Sequence, residues 1–232
     1  MSGYLIAIDN IGPAYTAIIS TFYPAVGTAL AALFLKERMR PRQVVALMVA
    51  LGAVIMVGWS SSGAEVPGSA VLGTLAALAC VIGWGSEAVI LAWGMRDETV
   101  DNETALQLRE TTSALVYLVV VAPVAGALGL GLRASVTPAA AVVAAAALAG
   151  TVSYLFYYKA INTIGASRGM ALNISYSAWA VIFAFLLQHT VPTAYQVVCC
   201  VVILTATVLA ATPHWASLLR VRAQGAASEP PS

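Results

Sequence analysis

The chain has 232 residues, 60% of them hydrophobic and 9% charged, with mean hydropathy +0.88 and a formal net charge of +1. A soluble domain carries about a quarter charged residues, so a water-facing surface cannot be covered here. Apolar runs of roughly 18–25 residues instead define an all-α polytopic membrane protein, a helical bundle.

In chain order, residues 3–9 (GYLIAID) are apolar but too short to cross a bilayer. They run into Asn10-Ile11-Gly12-Pro13, a turn signal, and are expected to be the last two turns of a helix. Full crossings are predicted over 13–35, 43–60, 69–94, 108–131, 138–160, 169–188 and 193–212. At a rise of about 1.5 Å per residue, each can span a hydrocarbon core about 30 Å thick, some with tilt. Pro13, Pro138 and Pro192 mark helix starts, and Pro41 closes a basic junction. Residues 61–68 are expected to be an external linker and 213–232 a disordered cytoplasmic tail. No basic segment precedes the first apolar run, so no cleavable signal peptide is expected.

Charge is placed unevenly. Lys36, Glu37, Arg38, Arg40 and Arg42 crowd between the first two crossings. With that junction cytoplasmic and sides alternating, Arg96, Arg109, Lys159, Arg168, Arg220 and Arg222 also fall inside, and only Arg133 falls outside. Ten of the eleven basic residues then share one side, as the positive-inside rule requires. Lys36, Arg38, Arg40 and Arg42 are therefore the topology determinants, and the expected location is the plasma (inner) membrane with a cytoplasmic C-terminus. The basic residues form no patch for nucleic acid. Cys80, Cys199 and Cys200 all lie in apolar runs, which argues for packing and against a disulfide framework. The sequons at Asn102 and Asn173 fall in an inner loop and within a crossing, so neither is a glycan site. His189 and His214 have no ligand-spaced companions, and no metal or cofactor is expected.

Shifting the chain by 153 residues aligns 7–59 with 160–212 without a gap and yields about fourteen identities. They include Ile11/Ile164, Gly12/Gly165, Tyr23/Tyr176, Ala25/Ala178 and Gln43-Val44-Val45/Gln196-Val197-Val198. An odd number of crossings separates the two copies, so they sit on opposite sides of the membrane: an inverted-topology repeat, a plan many secondary transporters use. The first junction carries five charges and its copy, LQHTVPTAYQVV, carries none, because a basic loop would oppose external placement.

These motifs resemble the drug/metabolite transporter superfamily, in its EamA-like family. The first copy carries Ile11-Gly12-Pro13-Ala14, Tyr23-Pro24 and Leu35-Lys36-Glu37-Arg38. The second carries Ile164-Gly165-Ala166-Ser167 and Tyr176, then departs with Ser177 in place of the proline and Thr190 in place of the glutamate. The resemblance implies ten helices in two inverted halves of five. Residues 1–60 would then be the C-terminal part of the first half and 69–212 the second, with the first two helices and most of the third absent, through truncation or a natural short form.

Glu87 is the only acidic residue deep within a crossing, beside Trp84 and Trp93. A charge at depth costs roughly 3 kcal/mol or more, so such residues face a cavity or a partner. It is either a proton- or cation-contact site or a structural carboxyl. Asn173, Tyr176, Ser177 and Ala180 share one helix face, as do their copies Ser20, Tyr23, Pro24 and Gly27. Two such faces would meet near the midplane as a cavity lining or as a small-residue helix seam. Ser153, Tyr154 and Tyr157 form a similar stripe, with Tyr158 and Lys159 expected as interface anchors.

The leading functional expectation is a secondary transporter of a small metabolite or drug, working by alternating access without ATP, with proton coupling left open. No phosphate-binding Gly-Lys-Ser/Thr motif is present. The alternatives are a non-transporting fragment or assembly partner and, more remotely, an intramembrane lipid-modifying enzyme. Against the enzyme, Asp97, Glu98, Asp101 and Glu103 sit together in a solvated inner loop. The expected partners are a small-molecule substrate and the bilayer, with homodimerisation left open.

Overall fold

A computed structural model describes residues 2–59, 68–97, 99–126, 129, 137–189 and 191–215. Most of the external linker, Glu98, Arg133, Thr190, and the tail with Arg220 and Arg222 lie outside the described residues.

Among the described residues, nine α-helices of eight residues or more organise the chain: α1 (Ser2–Ser20), α2 (Tyr23–Leu30), α3 (Pro41–Trp59), α4 (Ala70–Gly94), α5 (Asn102–Val116), α6 (Pro138–Ile164), α7 (Ala166–Asn173), α8 (Tyr176–Gln188) and α9 (Ala194–Ala211). Wide π-helical turns extend α2 through Ala31–Leu35 and α5 through Tyr117–Val121. Among the described residues they make seven segments long and apolar enough to cross a membrane: Tyr15–Leu35, Pro41–Trp59, Ala70–Gly94, Asn102–Val124, Pro138–Ile164, Ala166–Leu187 and Ala194–Ala211.

The fourth span begins six residues before the predicted 108, because Asp101 caps it by accepting from the Thr104 N–H at 2.7 Å. Its first turns, NETALQLRE, are too polar for hydropathy to register as part of a span. The sequon at Asn102 and the acidic Glu103 accordingly open a helix.

Residues 2–11 form a helical arm antiparallel to α4. A Cβ on Gly3 would meet Ala76 and Cys80, whereas Asn10 accepts from the Ser69 N–H at the start of α4. The chain then reverses at Gly12, whose φ 79°, ψ 162° is open essentially to glycine alone. From there it runs parallel to α4, with Gly27 against Gly85 and Leu35 accepting from Arg96.

The repeat is visible in the backbone. Gly12 and its copy Gly165 (φ 91°, ψ 160°) both reverse one helix directly into the next. Lys36 (φ 58°, ψ 25°) and its copy His189 (φ 55°, ψ 26°) both end a helix in the left-handed conformation. Mid-span, Thr21–Phe22 and Ile174–Ser175 interrupt their helices with the same pattern. The Phe22 N–H bonds Ile19 O at 3.1 Å and Ser175 N–H bonds Leu172 O at 3.1 Å; Ala25 N–H to Phe22 O and Ala178 N–H to Ser175 O are both 3.0 Å. Ser177, which replaces the family proline, leaves this break intact, and its N–H bonds Ile174 O. Arg40 N–H to Gln43 Oε1 (3.0 Å) recurs as Thr193 N–H to Gln196 Oε1 (2.9 Å).

The repeat helices α3 and α9 pack against each other head to tail, since Gln43 Nε2 at the start of α3 donates to Ala210 O at the end of α9 at 2.8 Å. That antiparallel pairing is the inverted relation itself. Leu47, Ala50, Leu51, Ile203, Ala206 and Ala210 fill the seam, joined by Ala171, Ile174 and Ala178 of the second repeat. Small residues let these backbones approach where lipid supplies no hydrophobic drive.

Cross-chain contacts gather four junctions at one end of the bundle. Arg40 meets His214, Arg42 donates to Pro213 O and lies over the Trp215 ring, Arg96 donates to Leu35 O, and Asn162 bonds Asn102. At the same end Glu37 accepts from the Ala166 and Ser167 N–H groups, both at 3.0 Å, and so caps α7 from the other repeat. Arg40, Arg42 and Arg96, three of the basic residues that alternation assigns to one side, thus lie at one end of the bundle.

Candidate functional site

The mid-span break before Tyr23 and the helix end at Asn173 bring two register-related faces together. Asn173 Nδ2 donates to the Tyr23 hydroxyl at 2.8 Å, linking the two repeats. Around this contact lies a cavity of about 350 Å³ lined by Tyr4, Tyr23, Trp84, Glu87, Ala88, Ser153, Tyr154, Tyr157, Asn173 and Tyr176. Its volume falls at the lower end of the range of small-ligand sites.

Of the ten lining residues proposed from sequence, eight surround this one cavity. Ser20 and Ser177 do not line it. Ser20 is buried and bonds Ala17 O within its own helix at 3.1 Å; Ser177 is half-buried on α8. The lower part of the first face is a seam, for a Cβ on Gly27 would lie 2.3 Å from Met170 Sδ, and one on Gly85 would lie 2.9 Å from Gly27 N. Lining and seam therefore divide one helix face between them.

The rings are mutually oriented. Tyr23 meets Trp84 edge to face at a centroid distance of 6.0 Å, and Tyr4 tilts against Trp84 at 5.5 Å. On α6, Tyr154 meets Tyr157 and Tyr158 edge to face at 6.3 and 6.2 Å. Such arrangements suit the ring quadrupole and stiffen the wall.

Glu87 is paired. Arg109 Nε donates to its Oε1 at 3.1 Å, and the Tyr158 hydroxyl donates to the same oxygen at 3.2 Å. Arg109 also binds Glu110 through Nη1 at 2.6 Å and stacks over the Tyr154 ring at 4.4 Å. Trp93 is 67% exposed and takes no part. Tyr158, expected as an interface anchor, has 0% exposure, whereas its neighbour Lys159 is exposed. Adjacent residues on a helix point about 100° apart, and proximity to a lysine in sequence misplaced the tyrosine.

Sequence reasoning missed Tyr4, Ala88, Arg109 and Tyr158. Arg109 carried a signal: it is a basic residue one helix away from Glu87, the acid placed deep in a crossing, and membrane charges pair. With the fourth span starting at 108, it looked like an end residue. Its place two turns inside α5 follows from the Asp101 cap.

Among the described residues no group of His, Cys, Asp or Glu could hold a metal ion. The three cysteines are buried and free.

The EamA-like transporter family model matches residues 1–59 and 71–212. Protein LicB of Haemophilus influenzae (strain ATCC 51907 / DSM 11121 / KW20 / Rd) is 26% identical over 187 residues, which cover 81% of this chain and 62% of that protein. The chain thus spans less than two thirds of that relative's length. Seven apolar spans, two antiparallel repeats and the family match agree: the chain is a multi-pass membrane protein that belongs to the EamA-like transporter family.

Proposed function

We propose that the protein moves a small solute across the plasma membrane by alternating access, with the aromatic cavity as its binding site. The observation that carries this reading is where the cavity lies. It is walled by Tyr23 and Asn173, on opposite sides of the repeat interface and next to helix breaks of the same geometry. Inverted-repeat transporters place their sites at such breaks, because rocking one repeat against the other exposes the same residues to either side.

In this scheme the Tyr23–Asn173 bond and the Glu37 cap on α7 are the contacts remade during rocking. The basic end, with Lys36, Arg38, Arg40 and Arg42, faces the cytoplasm. Glu87 is the candidate proton carrier, since it is the one carboxylate in the cavity wall.

Proteoliposomes containing the purified chain test this. A solute gradient should drive uptake that Tyr23→Ala and Asn173→Ala each reduce by about tenfold or more. Flux unaffected by both would overturn the site. If Glu87→Gln leaves a pH-driven flux unchanged, proton coupling through that residue is rejected.

A further inference from the structure

At the basic end of the bundle a pocket of about 200 Å³ lies beside the junction of α6 and α7, with Glu37, Arg38, Gly165, Ser167 and Arg168 in its wall. It shares no residue with the aromatic cavity. Glu37 already places a carboxylate there, on the Ala166 and Ser167 N–H groups that open α7. Gly165 makes the room, since a Cβ on it would lie 3.0–3.1 Å from the three carboxylate atoms.

The other polar groups of this wall are donors without acceptors. Ser167 is 2% exposed, and its hydroxyl is buried with no hydrogen-bond partner among the described residues. The side chains of Arg38 and Arg168 make no hydrogen bond there and enter neither of the ion pairs, both of which belong to Arg109. Buried hydroxyls are normally paired; positive-inside placement accounts for the two arginines but not for this orphan. A carboxylate has two oxygens, and Glu37 spends both on backbone N–H groups. A phosphate has the further oxygens that a hydroxyl and two guanidinium groups need, and helix N-termini and arginines both suit it.

The other repeat is an internal control. Gly12 makes the same reversal as Gly165, yet the copies of Ala166, Ser167 and Arg168 are Pro13, Ala14 and Tyr15, and the copy of Arg38 is Val191. The turn therefore forms without a hydroxyl or a cation at these positions, and the backbone does not demand them.

We propose that this pocket is a phosphate-binding site in which a phosphate group displaces the Glu37 carboxylate. The phosphate accepts from the Ala166 and Ser167 N–H groups and from the Ser167 hydroxyl, between the Arg38 and Arg168 guanidinium groups. Glu37 is tethered beside the site at an effective concentration on the order of millimolar, so phosphate competes only where it is abundant. Its source is free phosphate or the headgroup of an anionic lipid, which basic pockets near the membrane surface attract. Occupancy releases the cap that joins the two repeats, and in the alternating-access scheme above it thereby acts on rocking. The binding itself does not rest on that scheme.

Two arms test it on the purified full chain. Phosphorus NMR titration with inorganic phosphate in dodecyl maltoside, at ionic strength fixed with chloride, reads the free ligand. Native mass spectrometry of the chain released from mixed phosphatidylglycerol and phosphatidylcholine vesicles reads the headgroup. Saturable phosphate binding at one site, or one retained phosphatidylglycerol per chain, is expected, and the arm that responds names the source. Glu37→Gln and Glu37→Asp, which weaken or withdraw the competitor, should each tighten that binding about tenfold, a gain that a damaged fold cannot produce. Ser167→Ala should weaken it about fivefold, and Arg38→Gln and Arg168→Gln about tenfold each. Weaker or unchanged binding in both Glu37 variants would overturn the proposal, as would binding indifferent to Ser167 and to both arginines. Failure of both ligands to bind even the Glu37 variants would overturn it too.

Discussion

The two repeats share a backbone and differ in their surroundings. In the first, α2 is pressed against α4, and the Tyr23-Pro24 turn and Gly27 are buried. In the second, the copies Tyr176 and Ala180 are exposed, and no residue of α6 before Tyr158 is buried. The junctions differ likewise. Glu37 reaches across to cap α7, accepting from Ala166 and Ser167. The copies of those two donors are Pro13 and Ala14, and a proline has no N–H to offer. Symmetry in such a protein resides in backbone turns, while side chains are free to make one half the closed, fixed partner of the other.

The largest expected break in this comparison is at the α2–α4 crossing. Gly85→Ala places a methyl 2.9 Å from Gly27 N and 3.0 Å from Tyr23 O, both backbone atoms that cannot step aside. Overpacking of this kind costs about 1–3 kcal/mol, and it must also separate Trp84 from Tyr23. Gly83→Ala, two residues away on the same helix, meets nothing within 4 Å and should be neutral or gain up to about 1 kcal/mol from helix propensity. Thermal unfolding in detergent should lower the midpoint for the first variant alone. Equal midpoints would show that the crossing is loose.

Next in size is the cross-repeat cap. Glu37→Ala strips an acceptor from two N–H groups of α7, at up to about 3 kcal/mol for a charge-assisted bond. Glu37→Gln keeps one carbonyl acceptor and should fall between. Hydrogen exchange at Ala166 and Ser167 should rise in the alanine variant while the Thr193 cap on α9 stays protected; unchanged exchange would remove Glu37 from the closed state.

The two glutamines sharpen the point further. Gln43 and Gln196 make the same N-terminal bond, but Gln43 is 0% exposed and also donates to Ala210 O, tying α3 to α9. Gln43→Ala should cost about 2 kcal/mol, since it orphans buried groups. Gln196→Ala should cost about 1 kcal/mol, the usual scale of a cap. Similar losses would mean that register, and not burial, sets the role of each residue.

How much of this was legible in the sequence follows from what each feature depends on. Span positions depend on apolar length, and all seven could be placed; the reversals at Gly12 and Gly165 depend on glycine and were signalled by it. The left-handed turn at Lys36 was invisible, because lysine does not favour that conformation; histidine is enriched in it, but a single His189 is too weak a signal to place the turn. The mid-span breaks were half visible: Pro24 marks one, but Ser177 shows that the break forms without proline. At the site, the stripe Ser153, Tyr154, Tyr157 and the meeting of the faces that carry Asn173 and Tyr23 could be drawn from helix periodicity and repeat register, but the bond between those two residues could not. Arg109 and Tyr158 could not, because their depth depended on a side-chain cap at Asp101 and on a rotation about α6. Sequence periodicity gives faces; it takes the crossing of helices to say which part of a face is cavity and which is seam.

The smallest effect concerns the two capped helices at opposite junctions, α5 and α9. Asp101 and Thr193 do the same work, but only the first can titrate. The Asp101 carboxyl is held below its ordinary value of 3.8, first by the bonds it makes with Thr104. A folded-state pKa below the unfolded one means that the cap's contribution is fully present above about pH 4. It is lost as pH falls through the lowered value. Hydrogen exchange at Thr104 should therefore quicken in that acid window while exchange at Gln196, capped by Thr193, does not change with pH beyond the intrinsic rate. Asp101→Asn keeps an acceptor that does not ionise, so it should abolish the acid-induced change at Thr104 and leave the helix start in place. An acid response that survives in the asparagine variant would assign it to another group in the junction, of which Asp97, bonded to Thr99 and likewise lowered, is the first to test.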